Sequence, residues 1–174
     1  MIGFRHVDDR FPFLWETDRQ PPGRWHGEGE GPVHYLADTP DGAWAEFLRH
    51  EEIREPDDVV TIRRGLWAVE VEDAPAARPR LPIDVLTGGL STYPTCRAEA
   101  RRLRARGATA LIAPSAALLP GSAGGWRVDR GMRPARARDG RVLVLIGPRP
   151  NIVGWAATTA GRPLPQLLAK VRHF

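Results

Sequence analysis

The passage between Val33 and Asp41 constrains this chain more than any other. Val33-His34-Tyr35-Leu36-Ala37 follows a glycine-rich loop and reads as a strand. Strand alternation puts Val33, Tyr35 and Ala37 on one face and His34 and Leu36 on the other. Two residues later, Thr39-Pro40-Asp41 supplies a capping hydroxyl, a proline at the first helical position and an acid in the first turn. A helix is therefore predicted over 40–54, with Ala43, Trp44, Phe47 and Leu48 as its apolar stripe. Glu46 lies on the flank of that stripe, where a carboxylate can stand at the wall of a cleft. A strand feeding directly into an amphipathic helix calls for a helix layer packed on a sheet.

The remaining elements are consistent with that layering. Phe11, Phe13 and Trp15 alternate as in a short strand or extended cover, and Pro21-Pro22-Gly23 with the glycines of 27–31 makes a loop. Strands are predicted over 59–63 and 66–71 as a hairpin, a proline-rich loop over 74–82, and a helix over 94–106 ended by Gly107. Short strands follow over 110–113, 141–146 and 152–156, with a closing helix over 163–170. Mixed helices and strands, with several strand pairs close in sequence, argue an α/β or α+β chain with a mixed β-sheet and flanking helices, folded as one domain.

At 174 residues, a chain buries roughly 70% of its unfolded surface, and 42% hydrophobic with 26% charged residues is a globular composition. Cys96 is the only cysteine, which excludes an internal disulfide and a cysteine-based zinc motif. The first nine residues are too charged for a signal peptide, and no 18-residue apolar run occurs, so the expectation is a cytoplasmic protein without a membrane span. The formal charge is +4, yet the basic residues are nearly all Arg, spread along the chain and interleaved with acids in its first half. That distribution argues against direct nucleic-acid binding. Two denser stretches stand out: Arg97 to Arg106, read as a solvated helix face, and Arg127 to Arg141, read as a mobile loop with an acidic partner as the sharper alternative.

No GxGxxG after a strand, GxxxxGK[ST], HExxH or GxSxG occurs. Gly27-Glu28-Gly29-Glu30-Gly31 has glycines at cradle density, but its carboxylates would repel a phosphate. Read residue by residue, Glu46 with His50 is a surface i, i+4 pair, Tyr35 a half-buried strand residue, Arg24 a loop charge and Ser115 a cap or turn former. His6, His26, His34 and His173 have no metal-ligand spacing and read as structural.

In chain order, several short pieces together resemble the RES domain, a family named for an Arg, a Glu and a Ser. They are Arg5, Gly23-Arg24-Trp25, Val33 to Ala37, Ala43-Trp44-Ala45-Glu46 with the trailing Leu48-Arg49-His50, Pro114-Ser115-Ala116, and the closing Val171-Arg172-His173-Phe174. The resemblance runs nearly end to end and implies a single RES-like domain over 1–174. The chain departs from the family pattern at His26, where the loop has Asn, and over 127–141, which has no counterpart in it. The understood RES proteins are similar to toxins of type II toxin-antitoxin pairs, consume NAD, and have a core similar to ADP-ribosylating toxins. The resemblance thus implies an ADP-ribosyltransferase-like core and cleavage of the nicotinamide-ribose bond of NAD, with NAD as substrate and water or phosphate as acceptor. A helix-turn-helix antitoxin of the Xre type is the implied partner.

By resemblance, Glu46, Arg24 and Tyr35 are the catalytic set, and Arg24, Tyr35 and Ser115 bind substrate. Glu46 would face the oxocarbenium charge that develops on the ribose, Arg24 the pyrophosphate, Tyr35 the nicotinamide, and Ser115 a phosphate or ribose oxygen; none of these roles requires a metal or cofactor. Transfer of ADP-ribose to a protein would use the same residues. A reading of another class is a non-catalytic module whose basic stretch 127–141 holds a nucleic acid or an acidic protein.

Overall fold

The computed structural model describes residues 1–17, 19–72 and 75–174. The strands are β1 Ile2–Val7, β2 Val33–Ala37, β3 Arg64–Glu70, β4 Ala110–Pro114, β5 Trp126–Val128, β6 Met132–Pro134, β7 Arg141–Ile146 and β8 Gly154–Gly161. The helices are α1 Pro40–His50, α2 Pro56–Thr61, α3 Ile83–Thr87 and α4 Tyr93–Arg104, with 3-10 turns at Leu90–Thr92 and Pro165–Lys170. Six strands form one sheet in the order β4-β7-β2-β1-β3-β8, and β5-β6 stands apart as a two-stranded ribbon. Each strand pair of the large sheet is antiparallel, and among the described residues parallel pairing is confined to the isolated bridge between Ala77 and Leu111. The architecture is α+β.

Cross-strand register decides which residues share a face. Phe4 lies opposite Ala37 on one side and Ala68 on the other, and Tyr35 lies opposite Val144, itself opposite Leu111. Phe4, Tyr35, Ala37, Leu111 and Val144 therefore point to the same side, the side covered by helices. There α1 packs Ala43, Trp44, Phe47 and Leu48 over Ala37 and Leu66, while α4 packs Cys96, Ala100 and Leu103 over Val33, Leu111 and Val144. On the reverse face Leu36, Val69, Leu143 and Leu145 are covered by Phe13 and Ile152. Phe13 stacks on Trp67 at 5.0 Å, so the N-terminal aromatics form an extended cover and not a strand.

Several expectations are corrected by local chemistry. The strand expected over 59–63 is the helix α2, because Pro56 with Asp57 and Asp58 makes a favourable first turn and only Val59 needs burial. The helix expected to reach residue 54 ends at His50. Glu52 takes φ 52°, and the Ile53 amide returns to the Leu48 carbonyl at 2.9 Å. This closes the helix with the Schellman pattern usually signalled by glycine. At the end of α4, Gly107 takes φ 84° and the Ala108 amide reaches the Leu103 carbonyl at 3.1 Å, which is the role assigned to it. The stretch 127–141 carries the β5-β6 hairpin and the start of β7 instead of an open loop. The strand expected over 152–156 is longer and shifted, and the closing helix is a 3-10 turn. The loop expected from residue 74 begins outside the described residues, and its sequel runs into α3, a helix that was not anticipated.

Candidate functional site

Trp25 fixes the loop that follows Pro21-Pro22. Its side chain is 1% exposed and sits in the cluster under α4, a position where truncation costs on the order of 3–5 kcal/mol. The residues on either side are thereby held in place. On one side, His26 Nε2 lies 3.0 Å from the Pro21 carbonyl and Nδ1 2.9 Å from the Tyr35 hydroxyl. A carbonyl can only accept, so Nε2 carries the proton, and Nδ1 accepts from the tyrosine. The Tyr35 oxygen in turn accepts from the Trp25 amide at 3.0 Å. Burial, opposed by the Pro21 bond, holds the imidazole below its ordinary pKa and thus neutral. Burial also pushes the Tyr35 phenol well above its ordinary value. A Cβ on Gly23 would meet the Tyr35 oxygen at 2.6 Å, so this turn requires glycine.

The same loop is clamped from outside by α4. Arg97 Nε donates to the Gly23 carbonyl at 2.8 Å and Arg104 to the Trp25 carbonyl at 3.1 Å. Glu30 caps the Gly27 amide at 2.7 Å and pairs with Arg101 and Arg104. The arginine face of α4 is therefore a latch on the 23–30 loop in addition to a solvated surface, and Glu30 of the glycine-rich segment is its counter-charge.

Arg24 turns inward and is 7% exposed. Its guanidinium donates to the Gly88 carbonyl at 2.6 Å, the Thr92 hydroxyl at 3.0 Å and the Val85 carbonyl at 3.3 Å, and lies 4.6 Å from the centre of the Tyr93 ring. Arg49, from the last turn of α1, is 1% exposed and donates to the same Gly88 carbonyl at 2.8 Å, to the Arg172 carbonyl at 3.1 Å, and to the Ala116 carbonyl. Two guanidiniums thus converge on one carbonyl, with neutral acceptors as their hydrogen-bond partners. Burial lowers the Arg49 pKa, Glu46 opposes this, and Arg24 adds to it.

Between α1 and α4, over the central strands, opens a cavity of about 250 Å³ lined by Arg24, Tyr35, Glu46, Arg49, His50 and Tyr93, among others. Glu46 is the only carboxylate among the described residues that line it. Its side chain is 27% exposed, and its oxygen lies 3.7 Å from His50 Nε2, too long for a firm hydrogen bond. The carboxylate is therefore free to accept from a ligand, inside a wall that otherwise carries positive charge. Such a pocket attracts an anion with its rim and a developing cation with Glu46. On the floor, His6 packs against Trp44 and Phe47, and burial, with Arg64 and Arg5 nearby, pulls its pKa down to about 3.

The loop, strand and helix of the sequence reading bring Arg24, Tyr35 and Glu46 to this cavity. Ser115 is not among its lining residues, although Pro114 and Ala116 are. Its hydroxyl accepts from the Ala117 and Leu118 amides at 3.2 and 3.1 Å, the work of a turn former. Arg49 and Tyr93 were not singled out from the sequence. In the sequence Arg49 is an ordinary helix residue between Leu48 and His50, and Tyr93 precedes the helix predicted from residue 94 with nothing to mark it. On the helix, Arg49 falls opposite the Ala43, Trp44, Phe47 and Leu48 stripe, so no local signal marks it and its burial is decided by the segments packed on that side.

A model of the RES domain matches residues 3–128. The chain belongs to the RES domain family. The match takes in the Arg24 loop, β2, α1, α4 and Ser115, and ends inside the β5-β6 ribbon. Among curated proteins none matches the chain. The RES family is consistent with a toxin-like role related to NAD.

Proposed function

We propose that this RES domain protein degrades NAD by cleaving the nicotinamide-ribose bond, as a glycohydrolase or phosphorylase, and acts as a toxin restrained by a helix-turn-helix antitoxin of the Xre type. The observation that carries this reading is the solitary Glu46 carboxylate in a cavity walled by Arg24 and Arg49. Cleavage expels neutral nicotinamide and leaves oxocarbenium character on the ribose, so a fixed carboxylate stabilises the transition state more than the ground state. The buried guanidiniums supply an electropositive wall for the pyrophosphate without needing to move. Their donors already hold Gly88, Ala116 and Arg172, so the wall is preorganised.

Nicotinamide release from NAD by the purified protein, followed with and without phosphate, tests the reaction and separates water from phosphate as acceptor. Glu46→Gln is expected to lower turnover roughly 100- to 1,000-fold with an unchanged melting temperature. Wild-type rates in that variant would remove Glu46 from the mechanism. For the partner, expression that arrests growth alone and is tolerated with the antitoxin is the expected result.

A further inference from the structure

We infer that Tyr93 touches the substrate in this cavity and donates a hydrogen bond from its hydroxyl to the ribose-nicotinamide end of the ligand. The inference rests on the NAD reading above.

Three observations place Tyr93 in this role. First, Tyr93 lines the same cavity as Glu46, whereas the hydroxyl of the other lining tyrosine, Tyr35, bridges the Trp25 amide and His26 and so belongs to the loop. Second, the ring is held from its surroundings: Arg24 lies 4.6 Å and Arg97 5.8 Å from its centre, and the residue opens α4 directly after the 3-10 turn Leu90–Thr92. Neither guanidinium can accept a proton. Arg24 hydrogen-bonds to the Tyr93 phenol, and among the described residues no hydrogen bond donated by the Tyr93 hydroxyl is found, while its oxygen is not one of the fully buried side-chain atoms that lack a partner. Its hydrogen is therefore available to a ligand in the cavity that the residue lines. Third, Arg24, Arg49 and Glu46 all act on the phenol, which burial keeps protonated. The hydroxyl is thus a fixed, neutral donor within the field of the carboxylate and both cations. A sugar hydroxyl bound against Glu46 meets both of its needs there, donating to Glu46 and accepting from Tyr93, and a carboxamide does so by donating from its NH2 and accepting at its oxygen.

This division also reassigns Arg24. Its contacts with Gly88, Thr92 and the Tyr93 ring make it a positioning residue for Tyr93 as much as a wall for phosphate.

The test compares Tyr93→Phe with wild type on NAD. The phenylalanine keeps the ring and its packing on Arg24, so the melting temperature is expected to stay within a degree or so of wild type, while kcat/KM for nicotinamide release falls about 10- to 100-fold. Tyr93→Ala, which also removes the ring, is expected to fall further and to lose stability. Removing a 1:1 donor should also flatten the preference for NAD over an analogue whose carboxamide is replaced by hydrogen, or over one lacking a nicotinamide-side ribose hydroxyl; one of the two preferences is expected to shrink in Tyr93→Phe. Full activity in a folded Tyr93→Phe, or an equal loss for every analogue, overturns the inference while leaving the NAD reading intact. Absence of nicotinamide release by wild type overturns both.

Discussion

Ser115 lies between two residues of the cavity wall without lining it, and its hydroxyl caps the amides of Ala117 and Leu118. Short polar side chains favour such local bonds because they satisfy backbone donors that no strand or helix takes up. Ser115→Ala is therefore expected to cost about 1 kcal/mol in urea unfolding and to leave nicotinamide release within a few-fold of wild type. A loss as large as that of Glu46→Gln would return Ser115 to the site. Residue type and order carried Arg24, Tyr35 and Glu46 as far as the cavity. They did not reveal that the Tyr35 hydroxyl is engaged by His26, since that depends on a loop folding back on a strand. The same contact gives His26 a physical role: it accepts from Tyr35 through Nδ1 and ties Pro21 through Nε2.

Helix α1 shows how much of an element is written locally. Its start was legible because every component lies within three residues: the Thr39 hydroxyl accepts from the Gly42 amide at 3.0 Å, with Pro40 and Asp41 following. Thr39→Ala is expected to lower stability by roughly 1 kcal/mol. It should also reduce turnover, since α1 carries both Glu46 and Arg49; a thermal melt and an activity assay on one preparation check both. The end of α1 was not legible, because Glu52 and Ile53 close it through a return to Leu48 that Ile53 burial favours and no glycine announces. The helix α2 was misread for a related reason. Val59 and Val60 have strand propensity, but Pro56 and two acids set the first turn, and packing of Val59 alone decides the rest.

At the scale of the molecule, buried histidines link stability to pH. His6 is held neutral with its pKa near 3, against an ordinary value of 6.5, first by burial and then by Arg64 and Arg5. The unfolded chain takes up this proton below 6.5 while the folded one refuses it. The contribution of His6 is thus complete above pH 6.5 and is lost as pH falls toward 3, at up to about 1.4 kcal/mol per pH unit. His26 and His34 are shifted the same way by burial. The urea midpoint is expected to fall steadily from pH 7 to pH 4, and His6→Gln to flatten part of that slope; an unchanged slope would show that His6 does not govern it. The sequence by itself determined a helix layer on a sheet, the strand and capped helix at 33–41, and the family to which the chain belongs. These rest on periodicity, capping and motif order, all short-range. Only the tertiary structure decided what faces Glu46 from outside α1. Arg24 and Tyr93 line its cavity because antiparallel register brings α1, α4 and the loop clamped by α4 to the same side of the sheet, and the Ser115 hydroxyl is taken up by the amides of Ala117 and Leu118.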